Sequence, residues 1–530
     1  MTHGDSMRST IDPSFTALPY RRLAEAALSR ARDFNVTHAD FRFERVRHQR
    51  IAVRDGQVQG AGDTEDLGFA VRVILNGAWG FASGMLLTPE SAVQVAETAV
   101  RVAQVAAAMT REPIALAPEP AYPDVEWVSS YEIDPLDVRV GGLGREWVSS
   151  YEIDPLTVPL SEKSALLTGW SKRLLDAPEV SHSSAALQQV VEHKFYADLD
   201  GTNTTQQRVR MDPEVEVFGA DARSGRFDSM RTIAPPVGRG WEYLTGDHYD
   251  WEAELAELPG LLAEKLAAPS VEPGSYDLVI HPSNLWLTIH ESIGHATELD
   301  RALGYEANYA GTSFATYDKL GTLQYGSPVM HVTGDRTVEN GLATIGYDDE
   351  GVRTQSWDII KDGVLVGYQL DRPMAHNMNL GRSNGCAYAD SPGHIPIQRM
   401  ANVSLQPAPD GPSTEELIGQ VQRGIYIVGD KSWSIDMQRY NFQFTGQRFY
   451  RIENGRLAGQ LRDVAYQATT TEFWNSMEAV GGPETWVLGG AFNCGKAQPG
   501  QVASVSHGCP TSLFRDVRVL NTTAEAGSEE

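Results

Sequence analysis

Between Tyr20 and Phe34, apolar residues recur at helical spacing, with Leu23, Ala26, Ala27 and Ala31 roughly on one face. The pattern then changes to short apolar runs separated by turn dipeptides. Ile51–Val53 faces Val58 across Asp55-Gly56, and Phe69–Leu75 faces Trp79–Phe81 across Asn76-Gly77. Asp-Gly and Asn-Gly supply the positive φ that tight hairpin turns need. Thr88-Pro89 opens a helix to about Met109, with Thr as N-cap and Pro in the first turn. Residues 18–110 therefore read as an N-terminal α+β domain.

Residues 111–125 hold four prolines (Pro113, Pro118, Pro120 and Pro123) and read as a linker or an extended crossing. The segment EWVSSYEIDPL follows at Glu126–Leu136 and recurs letter for letter at Glu146–Leu156. Two copies are too few for a solenoid. The repeat reads as a tandem duplication, one copy in the native place and the other bulging out with the Gly-rich VGGLG. The linker with its doubled segment spans 111–155. A central α+β domain, 156–270, combines helices near Ser161–Leu175 and Trp251–Ala267 with strands across Ala185–Tyr196 and Gln206–Phe218. From Tyr276 the pattern is one helix and then mostly strands, with hairpin signals at Asp362-Gly363 and Asn454-Gly455. This defines a C-terminal domain over 273–522, and 523–530 reads as an acidic tail. The fold class is α+β: N-terminal α/β units with mixed sheets flanked by helices, then a β-rich, barrel-like C-terminal domain carrying the metal-site helix.

Composition narrows the function. In 530 residues, 44 Lys plus Arg stand against 70 Asp plus Glu, a net charge of −26. Such a chain repels a phosphate backbone, which argues against general nucleic-acid binding. Three cysteines, Cys386, Cys494 and Cys509, make no disulfide framework and suit a reducing compartment. The first residues lack the apolar core of a signal peptide, and no uncharged run approaches the ~18 residues of a membrane span. A cytoplasmic location is the expectation.

The chemistry concentrates in Tyr276–Arg301. A short apolar strand turns at Pro282-Ser283 into a helix running to about Leu303, which contains His290-Glu291-Ser292-Ile293-Gly294-His295. Two neutral imidazoles are good zinc ligands, and a glutamate beside the first can act as general base on a water. The familiar H-E-x-x-H spacing puts both histidines on one face. Here the spacing is i, i+5, which on an ideal helix splays the imidazoles by roughly 140°. A metal site therefore requires a π-type bulge, for which Gly294 is the natural place. Catalytic zinc takes three protein ligands. Glu298, at i+3 from His295, is better placed to fix an imidazole tautomer than to ligate. The other candidates are Cys494, in a Gly-rich turn among strands, Cys386, in a Gly-rich loop, and Cys509, which could chelate with His507 in SHGCP.

HESIGHATELD and the late CGKAQPGQ resemble the TldD/PmbA metalloproteases, also known as modulators of DNA gyrase. The similarity extends to THADFRFER, LGFAVRVILNGAWGFAS, Asp348–Val352, Leu370–Arg372 and Arg399–Leu405. The resemblance implies a cytoplasmic, dimeric, Zn2+-dependent enzyme of the catalytic TldD type. It further implies His290, His295 and Cys494 as ligands and Glu291 as base. The implied reaction is hydrolysis of short or unfolded peptides inside a dimer cavity, as a homodimer or a heterodimer with a PmbA/TldE-like subunit. Two other classes compete: a non-catalytic scaffold or binding subunit of a protease complex, and a zinc amidase acting on a small molecule. A purely structural metal site has no need of Glu291, which speaks against the scaffold.

Overall fold

The computed structural model describes residues 11–128, 151, 153–221 and 225–526. Both turn dipeptides do turn the chain: Asp55, Gly56, Asn76 and Gly77 have φ of 49°, 68°, 52° and 75°. They join His38–Arg54, Gln57–Leu75 and Ala78–Gly84 into a meander. Its strands far outrun the apolar runs that signal them. Gln57–Leu75 continues through the polar stretch Gly60–Asp66 because each residue there is paired with the neighbouring strand.

The segments that read as an N-terminal and a central unit share one sheet. His38–Arg54 pairs antiparallel with His182–Asp198 along most of its length, and His182–Asp198 pairs in turn with Asn203–Asp221. One half of this sheet packs Phe41, Phe43, Phe69 and Val71 against helices Tyr20–Arg32 and Pro89–Ala107. The other half packs Ile51, Leu187 and Met211 against helices Leu160–Leu175 and Trp251–Ala267, where Trp170 and Trp251 stack at 5.0 Å. The sequence thus marks two hydrophobic cores, but the strands that cross between them make one sheet. Pairing over such distances leaves no local periodicity to read.

Successive strand residues face opposite ways. Phe41 and Phe43 face the helices, so Asp40, Arg42 and Glu44 face the other side. That charged side is buried too. It docks on the C-terminal domain: Arg72 bridges Asp40 (2.7 Å) and Glu350 (3.0 Å), and Lys194 reaches Asp349 (2.7 Å). The Pro-rich segment is an extended crossing, its Ala117 paired with the backbone and guanidinium of Arg372. Val125–Val128, which runs into the first copy of the doubled segment, adds in parallel to Asn203–Asp221. Tyr151, from the second copy, accepts a hydrogen bond from Gln207 of the same strand. Residues 129–150, including VGGLG, lie outside the described residues.

The C-terminal domain is built on a barrel closed by five strands: Gly274–Ile280, Arg423–Ile435, Asn441–Glu453, Val464–Thr469 and Ser512–Asn521. The helix Pro282–Ile289 leaves the first strand directly, with His281 Nδ1 accepting from Ser283 N at its start. Asn284 and Thr288 tie this helix to the barrel through Tyr466. On its other side lies the two-stranded ribbon Val487–Lys496 and Gln501–Cys509, where Trp286 occupies the space left by the missing side chain of Gly489. No helix of the described residues is long and apolar enough to cross a membrane.

Candidate metal centre

The helix that leaves Pro282 changes pitch where the motif begins, as a metal site with i, i+5 histidines requires. Pro282–Ile289 is α-helical, His290–Gly294 makes one π turn closed by His295 N to His290 O, and His295–Thr297 tightens to 3₁₀. The wider turn brings residues five apart onto one face, so the His290 and His295 rings lie with centroids 4.7 Å apart. Gly294 leaves room for the Met400 side chain. A Cβ there would meet Met400 Sδ at 2.6 Å.

Cys494 arrives from a strand, Val487–Lys496, rather than from the turn expected; the turn lies just beyond it. Its Sγ is 3.7 Å from His295 Nε2. One ligand atom each from His290, His295 and Cys494 fall within 4.8 Å of one another, and all three residues are buried. Zinc–nitrogen and zinc–sulfur bonds of about 2.0–2.3 Å in a tetrahedron call for N···S separations near 3.6 Å. The donor set, two imidazoles and a thiol, is the kind zinc takes, so the residues fit the ion. Burial holds both imidazoles below their ordinary range, leaving them neutral at pH 7 as ligands must be. Burial alone would push the Cys494 thiol up, but His295 and Arg399 beside it bring it below the usual thiol range.

The sequence candidates separate clearly. His290, Glu291, His295, Glu298 and Cys494 converge. Glu298 Oε2 lies 2.9 Å from His295 Nδ1. Cys509 does not pair with His507 as a chelate: its thiol faces Pro282 O, and burial pushes its pKa up. Cys386 lies in the core beside Asn384, its thiol pushed up to about 12 by burial.

Several residues that the sequence reading did not single out complete the site. Lys496, of the C-G-K run, is buried and donates to Glu298 Oε1 (3.1 Å), Asp300 Oδ1 (2.9 Å) and Gln398 O (2.9 Å). Arg301 donates to Glu298 Oε2 at 3.1 Å. Arg399 donates to Gln501 O and Cys494 O, clamping both strands of the ribbon. Arg439 Nη1 lies 2.6 Å from Glu291 Oε2. Arg439 sits at φ 62°, at the tip of the hairpin between Arg423–Ile435 and Asn441–Glu453. Asp436 caps that tip through the N–H groups of Gln438, Tyr440 and Asn441. Lys496 and Arg399 stand in motifs the sequence displays; nothing local marks Arg439.

Family models match two stretches of the chain: the PmbA/TldA metallopeptidase C-terminal domain over 273–521 and domain 1 over 39–103. A protein of Methanothermobacter thermautotrophicus named metalloprotease is 27% identical, over 92% of this chain and 96% of its own. A metalloprotease of Archaeoglobus fulgidus is 31% identical over 60% of this chain and 69% of its own. A zinc metalloprotease TldD homolog of Saccharolobus solfataricus is 26% identical over 52% and 58%. In fold, the chain matches a Thermotoga maritima protein described as a modulator of a DNA gyrase (TM-score 0.72, 16% identity, 94% and 100% covered). It also matches TldE from Thermococcus kodakarensis (TM-score 0.65, 16% identity, 94% and 99% covered).

Proposed function

The chain belongs to the TldD/PmbA metallopeptidase family, and from that premise we propose that it is a zinc-dependent peptidase acting on short or unfolded peptides. The convergence of His290, His295 and Cys494 beside Glu291 carries this reading. His290 Nε2, His295 Nε2 and Cys494 Sγ would hold the metal. Zinc bound there supplies Lewis acidity toward a carbonyl and a water.

Glu291 is the general base. Arg439 engages Oε2, so Oε1 takes the proton from the attacking water and delivers it to the leaving amine. Arg439 positions that carboxylate without being consumed. Among the described residues, the strand Val487–Lys496 pairs only with Gln501–Cys509, leaving its other edge without a strand partner. An extended peptide adding there would run past Cys494, which favours unfolded substrates. The fold shared with TldE supports assembly with a second, like-folded chain, and three free, buried thiols suit a reducing cytoplasm.

The test is metal content and hydrolysis of an unstructured protein such as casein. Wild type should carry about one zinc per chain, and Cys494→Ala much less. Glu291→Gln should keep its zinc and lose about 10²- to 10⁴-fold in rate. A zinc-free wild type, or a Glu291→Gln variant as active as wild type, would overturn the proposal.

A further inference from the structure

His507 stands outside the three-ligand cluster, buried on the strand Gln501–Cys509, and both of its ring nitrogens are engaged. Its Nδ1 lies 2.8 Å from Val403 O. A carbonyl only accepts, so Nδ1 carries the proton, and in a neutral imidazole Nε2 is then a bare lone pair. That lone pair lies 2.7 Å from His290 Nδ1. His290 must therefore donate through Nδ1–H, which leaves its own Nε2 unprotonated.

We propose that His507 is a positioning residue that sets the tautomer and ring orientation of His290 for metal binding, through an ordered chain from His290 Nδ1–H to His507 Nε2 and from His507 Nδ1–H to Val403 O. The inference rests on the metal-centre reading and extends it to a residue outside the ligand set. The two rings meet edge to face, at 79° with centroids 4.9 Å apart, a geometry that lets one nitrogen point at the other.

The two ligand histidines are thus held by different chemistry. His295 donates to Glu298, a carboxylate gripped by Arg301 and Lys496. His290 donates to a neutral ring. A carboxylate partner makes an imidazole a richer donor, and a neutral partner fixes orientation without adding charge. With a thiolate already in the set, a second carboxylate-backed histidine would further weaken the metal as a Lewis acid. A neutral partner avoids that.

Two substitutions separate the acceptor from the donor. In His507→Gln, the side-chain oxygen can reach the place of Nε2 and accept from His290. In His507→Asn, the shorter amide can keep the bond to Val403 O but falls short of His290. The full-length proteins are compared by zinc competition against a chromogenic chelator and by the visible spectrum of cobalt bound in place of zinc. His507→Asn should bind zinc about 10- to 100-fold more weakly, with an altered cobalt band. His507→Gln should stay within a few-fold of wild type and keep the tetrahedral band. If His507→Asn does not fold, His507→Met, which fills the space without a strong acceptor, replaces it with the same expectation. Zinc binding as tight in the Asn or Met variant as in wild type overturns this inference alone. Absence of zinc from wild type overturns the metal centre and the inference together.

Discussion

Replacing Lys496 with Met tests whether the buried charges behind His295 act as one unit. The ammonium has no solvent exposure and bridges Glu298 and Asp300, whose side chains are 1% and 11% exposed. Met keeps the unbranched apolar stem, one heavy atom shorter, and removes the charge. Arg301 then faces two carboxylates with no second cation at Glu298. Breaking a buried ion pair from one side costs about 3–5 kcal/mol, because the charge left behind is uncompensated. For a cooperative unit of about 250 residues, unfolding entropy near 2.1 cal/mol/K per residue converts that loss to roughly 6–10 °C in Tm.

The pH dependence fixes the sign. Burial pushes the Glu298 carboxyl up, but Lys496, Arg301 and His295 outweigh it and hold the group well below its ordinary 4.5. A carboxylate depressed on folding stabilises the native state above its unfolded pKa, and that stability is lost as pH falls through the folded pKa. Without Lys496 the folded pKa rises, and at neutral pH the native state holds a charge that burial disfavours. Acidification relieves this by protonation. Thermal unfolding of metal-free protein should therefore show the largest gap between wild type and Lys496→Met near pH 7.5, and a smaller gap near pH 5. A gap under about 2 °C at pH 7.5, or one that widens toward pH 5, would show that Lys496 is not the counter-charge described here.

Substitutions at two further positions probe the frame and the base. Gly489→Ala places a Cβ 1.3 Å from Trp286 Cε3; the strand or the indole must move, costing at least about 1–3 kcal/mol. Because that strand carries Cys494, zinc affinity should fall along with Tm in the same preparation. Arg439→Ala frees Glu291 Oε2 and should lower kcat about 10²-fold with zinc content unchanged, since misplacing a reacting group by ~1 Å costs that much. Arg439→Lys, which restores the charge without the planar fork, should fall between the two in steady-state peptide hydrolysis.

How much of this the sequence displayed depended on sequence distance. His290, Glu291 and His295 stand together, and their i, i+5 spacing makes a π turn the condition for a metal site, a turn the chain does make. Glu298 lies against His295, but a helical i+3 geometry is not what places it there. The chain leaves the helix at Glu298 (φ −72°, ψ 117°), and the carboxylate folds back. Cys494 stands among three candidate cysteines, and only resemblance singles it out, because no spacing relates it to a helix some 200 residues earlier. Sequence proximity in SHGCP offers His507 only as a chelating partner of Cys509. Its true neighbour, His290, is 217 residues away.

The charged alternation at Asp40, Arg42 and Glu44 misleads for a related reason. A strand with apolar residues on one face and ions on the other normally turns the ions to water. Here Asp40 and Glu44 pair within the sheet with Arg72 and Lys194, which in turn reach Glu350 and Asp349 of the C-terminal domain. Local pattern reports polarity, not the presence of a matching surface elsewhere in the chain.

The same dependence on distant segments explains why the metal geometry exists at all. A π turn followed by a 3₁₀ turn breaks the regular ladder and leaves carbonyls without their helical donors, each costly to bury unpaired. In this fold those carbonyls find partners outside the helix. Tyr325 OH donates to Ser292 O, Gln369 Nε2 to Gly294 O (2.7 Å), Ser313 Oγ to Ala296 O (2.6 Å) and Gln369 N to Thr297 O (2.9 Å). Gln369 also accepts from Ala401 N, which joins the π turn to the segment bearing Arg399 and hence to the Cys494 ribbon. Without these donors, the segment around HESIGH would gain by reverting to an α-helix, and its imidazoles would diverge by roughly 140°. The three candidate ligands therefore come into register only once the barrel, the Ser313–Tyr325 segment and the ribbon have assembled around the helix. The site is a consequence of tertiary folding imposed on a motif that cannot hold its own geometry.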